Sequence, residues 1–280
     1  MKMFKNIKYD LYQKLGNYFP SYFKNKTFAK IKHSLTKNSN ESPPENELLI
    51  LHLFLDENSI VLDIGANNGL YCYYFQEVIN CKKIMAFEPI PSLFKKLNRW
   101  FNDIDFFPFA ISNTNSITTL NIPYINDVKY ETRAKINSIK ENGETKVKKI
   151  QIETRTIDSL FLNKDIKIDF IKIDIEGHEL SAIQGASELL KRDNPILMVE
   201  IEARHHLKNF NSIISEINSK GYECFFFNKI EKELMPFSKF NLEIHQNLNS
   251  LEKIYINNFL FFPVNYNKIN LINEKIKNDI

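Results

Sequence analysis

The chain has 280 residues, 43% of them hydrophobic, enough for a sizeable core and too apolar for a disordered chain. A formal net charge of +3 is too small to argue for nucleic acid as a partner. The three cysteines, Cys72, Cys81 and Cys224, lack the spacing of a disulfide framework or zinc site, and no apolar run approaches the ~20 residues of a membrane span, so a cytoplasmic protein with free thiols is expected.

Charge is unevenly spread. Residues 1–40 hold nine Lys and one acid, Asp10, so the remainder is net acidic. Phe4, Ile7, Leu11, Leu15, Tyr18 and Tyr22 recur at steps of three and four with Lys on the other face, which predicts a basic amphipathic helix over 4–22. Such a stripe most often packs on the protein's own core or a second subunit. The same pattern suits peripheral contact of residues 1–22 with the inner face of an anionic membrane. The N-terminus lacks the apolar centre and small-residue cleavage site of a secretory signal. Residues 36–46, with Pro43-Pro44, are polar and mark a boundary. The expected organisation is a basic helical extension and linker over 1–45, a main domain over 46–263 with an insertion at about 112–154, and a C-terminal tail over 264–280.

Past the boundary, strands and helices alternate. Leu48–Leu55 reads as a short helix, Ile60–Ile64 as a strand, 69–79 as a helix and Lys83–Phe87 as a strand. Pro91–Asn102 reads as a helix opened by Pro91, where a missing N–H costs little, and Ile104–Ile111 as a third strand. From Ser112 to Thr154 the alternation stops. Ile117–Ile122 and Lys149–Thr154 read as hairpin strands around the polar stretch Lys129–Lys148, an insertion of the kind that shapes a substrate pocket. Ile168–Ile173, Pro195–Ile201, Tyr222–Phe227 and Asn258–Phe262 follow as strands, with helices over His178–Leu190 and Asn209–Lys220. Alternation with continuous apolar strands predicts an α/β fold, a doubly wound, mostly parallel sheet of seven strands with helices on both faces. Ligands should then sit at the carboxyl ends of the strands, where strand order reverses.

Those ends collect the polar residues. The first strand runs into Asp63-Ile64-Gly65-Ala66-Asn67-Asn68-Gly69. Gly65 permits a sharp turn and close approach of a ligand to the backbone, and the helix after it offers free N–H groups. Asp63 suits a cationic amino group better than a pyrophosphate, which favours the methionine part of S-adenosylmethionine over a dinucleotide. Glu88, in Phe87-Glu88-Pro89, closes the second strand where an acid can accept from both ribose hydroxyls. A third group is Asp169-Phe170-Ile171-Lys172-Ile173-Asp174-Ile175-Glu176-Gly177-His178-Glu179, with Lys172 and Asp174 on one side of the strand. Lys172 is the member best suited to a buried structural pair. Glu200 ends the next strand and should face the same crevice as Asp174, whereas His205 and His206 suit the surface.

These residues resemble the FkbM family of S-adenosylmethionine-dependent methyltransferases. The likeness rests on the DIGANNG loop at 63–69, Phe87-Glu88-Pro89, Ala110-Ile111, Thr156–Leu160, the run from Ile168 to Leu190, Glu200 and the closing Asn258–Pro263. It covers about residues 48–263. It implies a class I, Rossmann-like fold, S-adenosylmethionine as cofactor, and cofactor contacts at Asp63, Gly65, Ala66, Asn67, Gly69, Glu88, Pro89, Ala110, Ile111 and Asp174. Many relatives O-methylate sugars or similar hydroxylated metabolites, so a glycan or small-molecule acceptor is expected, while the insertion carries no substrate identity. Asp174, Glu200 and His178 are the candidate bases. Asp174 and Glu200 could instead hold Mg²⁺, which prefers oxygen ligands. A homo-oligomer is compatible with the sequence. Two other readings stay open: an NAD(P)-binding Rossmann enzyme, although Ala66-Asn67 breaks the G-x-G-x-x-G spacing, and an inactive binding protein of the same fold.

Overall fold

The computed structural model describes residues 18–35, 41–126, 128–136, 144–206, 210–247 and 254–279. The expected helix over 4–22 lies outside them, save for its last residues.

Thirteen strands are described: β1 (Ile60–Ile64), β2 (Lys83–Phe87), β3 (Asp105–Phe107), β4 (Ala110–Ile111), β5 (Ser116–Ile125), β6 (Val128–Lys129), β7 (Lys135–Ile136), β8 (Lys146–Arg155), β9 (Phe170–Ile173), β10 (Ile196–Glu200), β11 (Tyr222–Asn228), β12 (Glu233–Pro236) and β13 (Asn258–Pro263). The main sheet has the order β3-β2-β1-β9-β10-β13-β11-β12. β1, β2, β3, β9 and β10 are parallel, and β13 enters antiparallel between β10 and β11. The chain winds outward from β1 to β3, then returns to the other side of β1 at β9. The crevice expected of a doubly wound sheet therefore opens beyond β1 and β9.

The central strands are buried on both faces, and alternate residues feed two cores. Leu62, Ile64, Ile171, Ile173, Leu197 and Val199 meet Ala182, Leu189, Ile213 and Ile217 of the helices on one face. Val61, Phe170, Ile196 and Met198 meet Leu48, Leu51, Tyr74 and Phe75 on the other. This explains why the strands read as unbroken apolar runs. The helix Pro20–Ser34 joins the second core through Phe28, whose ring stacks on Tyr73 at 4.6 Å.

The structure departs from the sequence reading in four places. The sheet gains an eighth strand, the short β12, hairpinned onto β11. The expected third strand divides at Pro108, which has no N–H to give a ladder: β3 pairs with β2, and β4 leaves to pair with β8. The helix over 178–190 is two helices, Glu179–Gln184 and Ser187–Asp193, broken at Gly185. A Cβ on Gly185 would lie 2.0 Å from the Ser112 carbonyl oxygen, so the chain crossing there demands glycine. Residues 269–279 form a helix that buries Ile272 and Ile276 and ties to β12 through Asn273. The insertion is a second sheet, β4-β8-β5-β6 with β7 on β5, built on the long β5–β8 hairpin.

Glu47 sits in the second core, 5% exposed, with the Asn258 amide 3.3 Å away as donor. Burial, reinforced by nearby Glu45, pushes its carboxyl up to about 8. An acid raised in this way favours the folded state below its unfolded pKa of about 4.3, and that stability is lost as pH rises toward 8. Glu47→Gln should therefore gain several degrees of Tm at pH 8 and much less at pH 5. A difference that does not change between these pH values in thermal melts would contradict the assignment.

Candidate active site

The Gly65 turn follows β1 with φ +85°, and a Cβ there would lie 2.0 Å from the Asp174 carbonyl oxygen. The close approach of the β9 end, as much as the turn, requires glycine. The N–H groups of Gly65 and Ala66 both donate to the Phe87 carbonyl at 3.0 Å, docking the loop on the end of β2. Glu88 completes the join. Its two carboxylate oxygens accept from the N–H groups of Asn67 and Ile90, each at 2.8 Å. Burial raises this carboxyl to about 7, against the opposing pull of those two N–H groups.

Behind the loop lies a buried charge cluster. Lys172, 4% exposed, pairs with Asp174 at 3.1 Å and Asp63 at 3.6 Å, and donates to the Gly65 carbonyl at 3.2 Å. Its ammonium also sits 5.0 Å from the centre of the Tyr71 ring. Burial alone would lower its pKa; Asp174, Asp63 and Glu45 more than reverse that, so it stays charged. Tyr71 donates to Glu45, and Asn258 donates to the same carboxylate at 3.2 Å.

At the other end of the crevice, Asp174, Glu176 and Glu200 bring carboxylate oxygens within 4.8 Å of one another. Glu176 has φ +52° and Gly177 φ +101°. This unusual turn is fixed by Glu179, whose Oε1 accepts from the N–H groups of Ile175 at 3.1 Å and Gly177 at 3.0 Å. Glu200 is pushed well above the usual carboxylate range, first by burial and then by Asp174, to which it hydrogen-bonds. Glu200 is thereby biased toward its protonated form, and Asp174 lies between it and the Lys172 ammonium.

These ends enclose a cleft of about 150 Å³. Gly65, Asn67, Glu88, Pro89, Ala110, Ile111 and Asp174, all expected at the cofactor, line it, as does Glu200. The second sheet supplies the roof through Leu120, Glu131, Thr132, Ala134 and Ile136. Four expected site residues do not line it. Asp63 is fully buried and turned to Lys172 and the Cys72 thiol, so it supports the loop from behind. Ala66 turns its methyl into the second core and its N–H to Phe87. Gly69 packs against Leu97 and Phe101, where a Cβ would come within 2.8 Å of both. His178 pairs with the Ser112 hydroxyl at 2.9 Å, and burial lowers its pKa, so it stays neutral away from the cleft. The insertion lines the cleft as its hairpin reading implied, but the sequence singled out none of its lining residues, nor the role of Glu45, Tyr71 and Asn258, which meet only through the fold.

The profile of the family described as Methyltransferase FkbM domain matches residues 63–224, more than half of the chain. The chain belongs to the FkbM methyltransferase family. That membership spans both ends of the cleft, Glu88 and the Asp174–Glu200 cluster, and it does not favour a nicotinamide enzyme. A characterised relative, the hexuronic acid methyltransferase AglP of Haloferax volcanii, is 26% identical over 169 residues, which is 58% of this chain and 63% of AglP. The match thus spans less than two thirds of that protein. Among solved structures, the FkbM methyltransferase from Methylobacillus flagellatus KT aligns with TM-score 0.44 and 18% identity, covering 74% of this chain and 44% of that one. A TehB-like S-adenosylmethionine-dependent methyltransferase from Corynebacterium glutamicum aligns with TM-score 0.43 and 11% identity, covering 85% and 97%.

If this FkbM-family cleft holds its cofactor ribose at Glu88, Glu88→Ala should weaken S-adenosylhomocysteine binding at least tenfold, since hydrogen bonds to a charged group contribute about 1.5 kcal/mol or more each. Titration calorimetry with unchanged affinity would contradict this placement.

Proposed function

We propose that the protein is an S-adenosylmethionine-dependent O-methyltransferase acting on a hydroxyl of a sugar or glycan, or of a similar hydroxylated metabolite. The observation that carries this is one cleft with Glu88 at one end and the Asp174–Glu176–Glu200 cluster at the other. Gly65 and Asn67 lie between them on a backbone that a ligand can approach closely. The relative that modifies a hexuronic acid supports a sugar acceptor.

When bound, the cofactor supplies an electrophilic methyl group on a sulfonium sulfur. The chain's part is positioning and proton handling. Aligning acceptor oxygen with the methyl can contribute up to ~7–11 kcal/mol in favourable cases. Held at Glu88, Gly65 and Asn67, the cofactor would give up its methyl group to the acceptor oxygen and leave as the neutral thioether, and the hydroxyl proton would pass to a carboxylate of the chain. Asp174 is the base best placed to receive it, because it lines the cleft and the Lys172 ammonium lies 3.1 Å away. Asp174, Glu176 and Glu200 also form an all-oxygen set that fits Mg²⁺, and a metal held by Asp174 and Glu200 would acidify the hydroxyl.

Radiolabelled S-adenosylmethionine with glycan fractions tests the activity. Asp174→Asn should lower turnover roughly 10²–10⁴-fold, the usual worth of a general base, with a far smaller effect on stability because Lys172 keeps Asp63 as its partner. A variant that unfolds while its folded fraction stays fully active would make Asp174 purely structural. The side-chain route predicts full activity in EDTA. Loss that Mg²⁺ restores would assign the metal route instead.

The described start of the N-terminal extension exposes Tyr18, Phe19 and Tyr22 by 60% or more. These rings, with the lysines before and after them, support contact of the arm with a partner surface, either a second copy or an anionic membrane at the cytoplasmic face. Among the described residues no helix is long and apolar enough to cross a membrane. Pelleting with anionic vesicles at low salt and release at high salt would support the membrane contact, and absence of pelleting would leave the second copy.

A further inference from the structure

We propose that Glu131 is a cofactor-binding residue: from the roof it accepts a hydrogen bond from the ribose diol seated on Glu88, so the insertion closes over the adenosine half of S-adenosylmethionine. This deepens the methyltransferase reading and rests on it. Glu131 opens the single turn Glu131–Arg133 between β6 and β7, and it lines the same cleft as Glu88.

Two contacts hold its side chain in place. Oε1 of Glu131 accepts from the Ser92 hydroxyl and from the Lys129 ammonium, each at 2.5 Å. Ser92 lies in the first turn of the helix Pro91–Trp100, just past Glu88. The same helix carries Lys96, whose ammonium donates to Asn68 of the glycine loop at 2.5 Å. Burial lowers the pKa of Lys96, and Glu131 and Glu88 oppose that shift, so both carboxylates lie near one ammonium. Roof, helix and glycine loop thus converge on the Glu88 end of the cleft.

That end has the chemistry of a nucleoside seat. Ile90, just past β2, and Ala110 of β4 pack with Leu120, Ala134 and Ile136 of the second sheet in one apolar cluster, and all five line the cleft. Leu120 and Ile136 are opposite one another in the β5–β7 ladder, so they share one face. A flat base suits such a slot, and the sugar edge beside it needs a few placed polar groups. A vicinal diol brings two O–H donors. Each Glu88 oxygen already accepts one N–H. An ionised carboxylate has about four acceptor positions, so Glu88 and Glu131 together keep capacity for both hydroxyls. After burial, Glu131 is the group that raises the Glu88 carboxyl, and the pair gains most from donors set between them.

The test uses the full chain and titration calorimetry with S-adenosylhomocysteine and its 2′-deoxy and 3′-deoxy analogues. Glu131→Ala should weaken S-adenosylhomocysteine about tenfold, the worth of a hydrogen bond to a charged group. It should also remove most of the penalty that the unaltered protein places on one of the two deoxy analogues, because that hydroxyl has lost its acceptor. Glu131→Gln, which keeps the bulk of the side chain, should show the same pattern in smaller degree and guards against a loosened turn. A purely structural role would weaken all three ligands alike, and that result would overturn the proposal. So would unchanged affinities, or deoxy analogues that bind the unaltered protein as tightly as S-adenosylhomocysteine. Failure of the unaltered protein to bind S-adenosylhomocysteine would instead overturn the methyltransferase reading beneath it.

Discussion

Asp63 on β1 and Lys172 on β9 are cross-strand partners in the register of two parallel strands, and Asp174 lies two residues beyond Lys172. One ammonium thus neutralises two carboxylates and also donates to the Gly65 carbonyl. Burying the charges of Lys172 and Asp63 costs several kcal/mol each, and the arrangement holds because each faces an opposite charge at short range, with Asp174 partly open to the cleft. Removing the cation would leave Asp63 buried without compensation. The turn at Gly65 and the end of β9, which approach within contact distance, depend on that cation for their spacing.

The consequences reach the whole crevice. Tyr71 covers the ammonium from the helix after the loop. Glu45 and Asn258 extend the network to the segment before β1 and to β13. Residues on both sides of the family-matched span, 63–224, therefore meet behind the cleft. With the backbone fixed from behind, the cleft side is left to Glu88, which ties the first two strand ends, and to the Asp174–Glu200 pair. The second sheet closes this frame from above, so the part of the chain least bound to the fold's regular rhythm shapes the cleft.

Much of this was legible in the sequence because the responsible signals are local. Unbroken apolar runs gave the parallel strands, Gly65 gave the turn, and an acid after Phe87 gave a strand end facing the crevice. The orientation of Asp63 was not legible. Its neighbour in the sheet, Lys172, lies more than a hundred residues away, and only the register decides whether the carboxylate turns to a ligand or to that lysine. His178 was misplaced for a similar reason: its partner Ser112 comes from the crossing at Gly185. β12 was hidden by its four-residue length, and the lining residues of the roof by the lack of any period over 129–148, although the hairpin that carries them was legible.

A crystal structure of the complex with S-adenosylhomocysteine tests the central claim most directly. The account predicts ribose hydroxyls on Glu88, the methionine part over Gly65 and Asn67, and Asp63 still paired with Lys172 out of ligand contact. A ligand amine bound to the Asp63 carboxylate, or a cofactor seated away from Glu88, would contradict it.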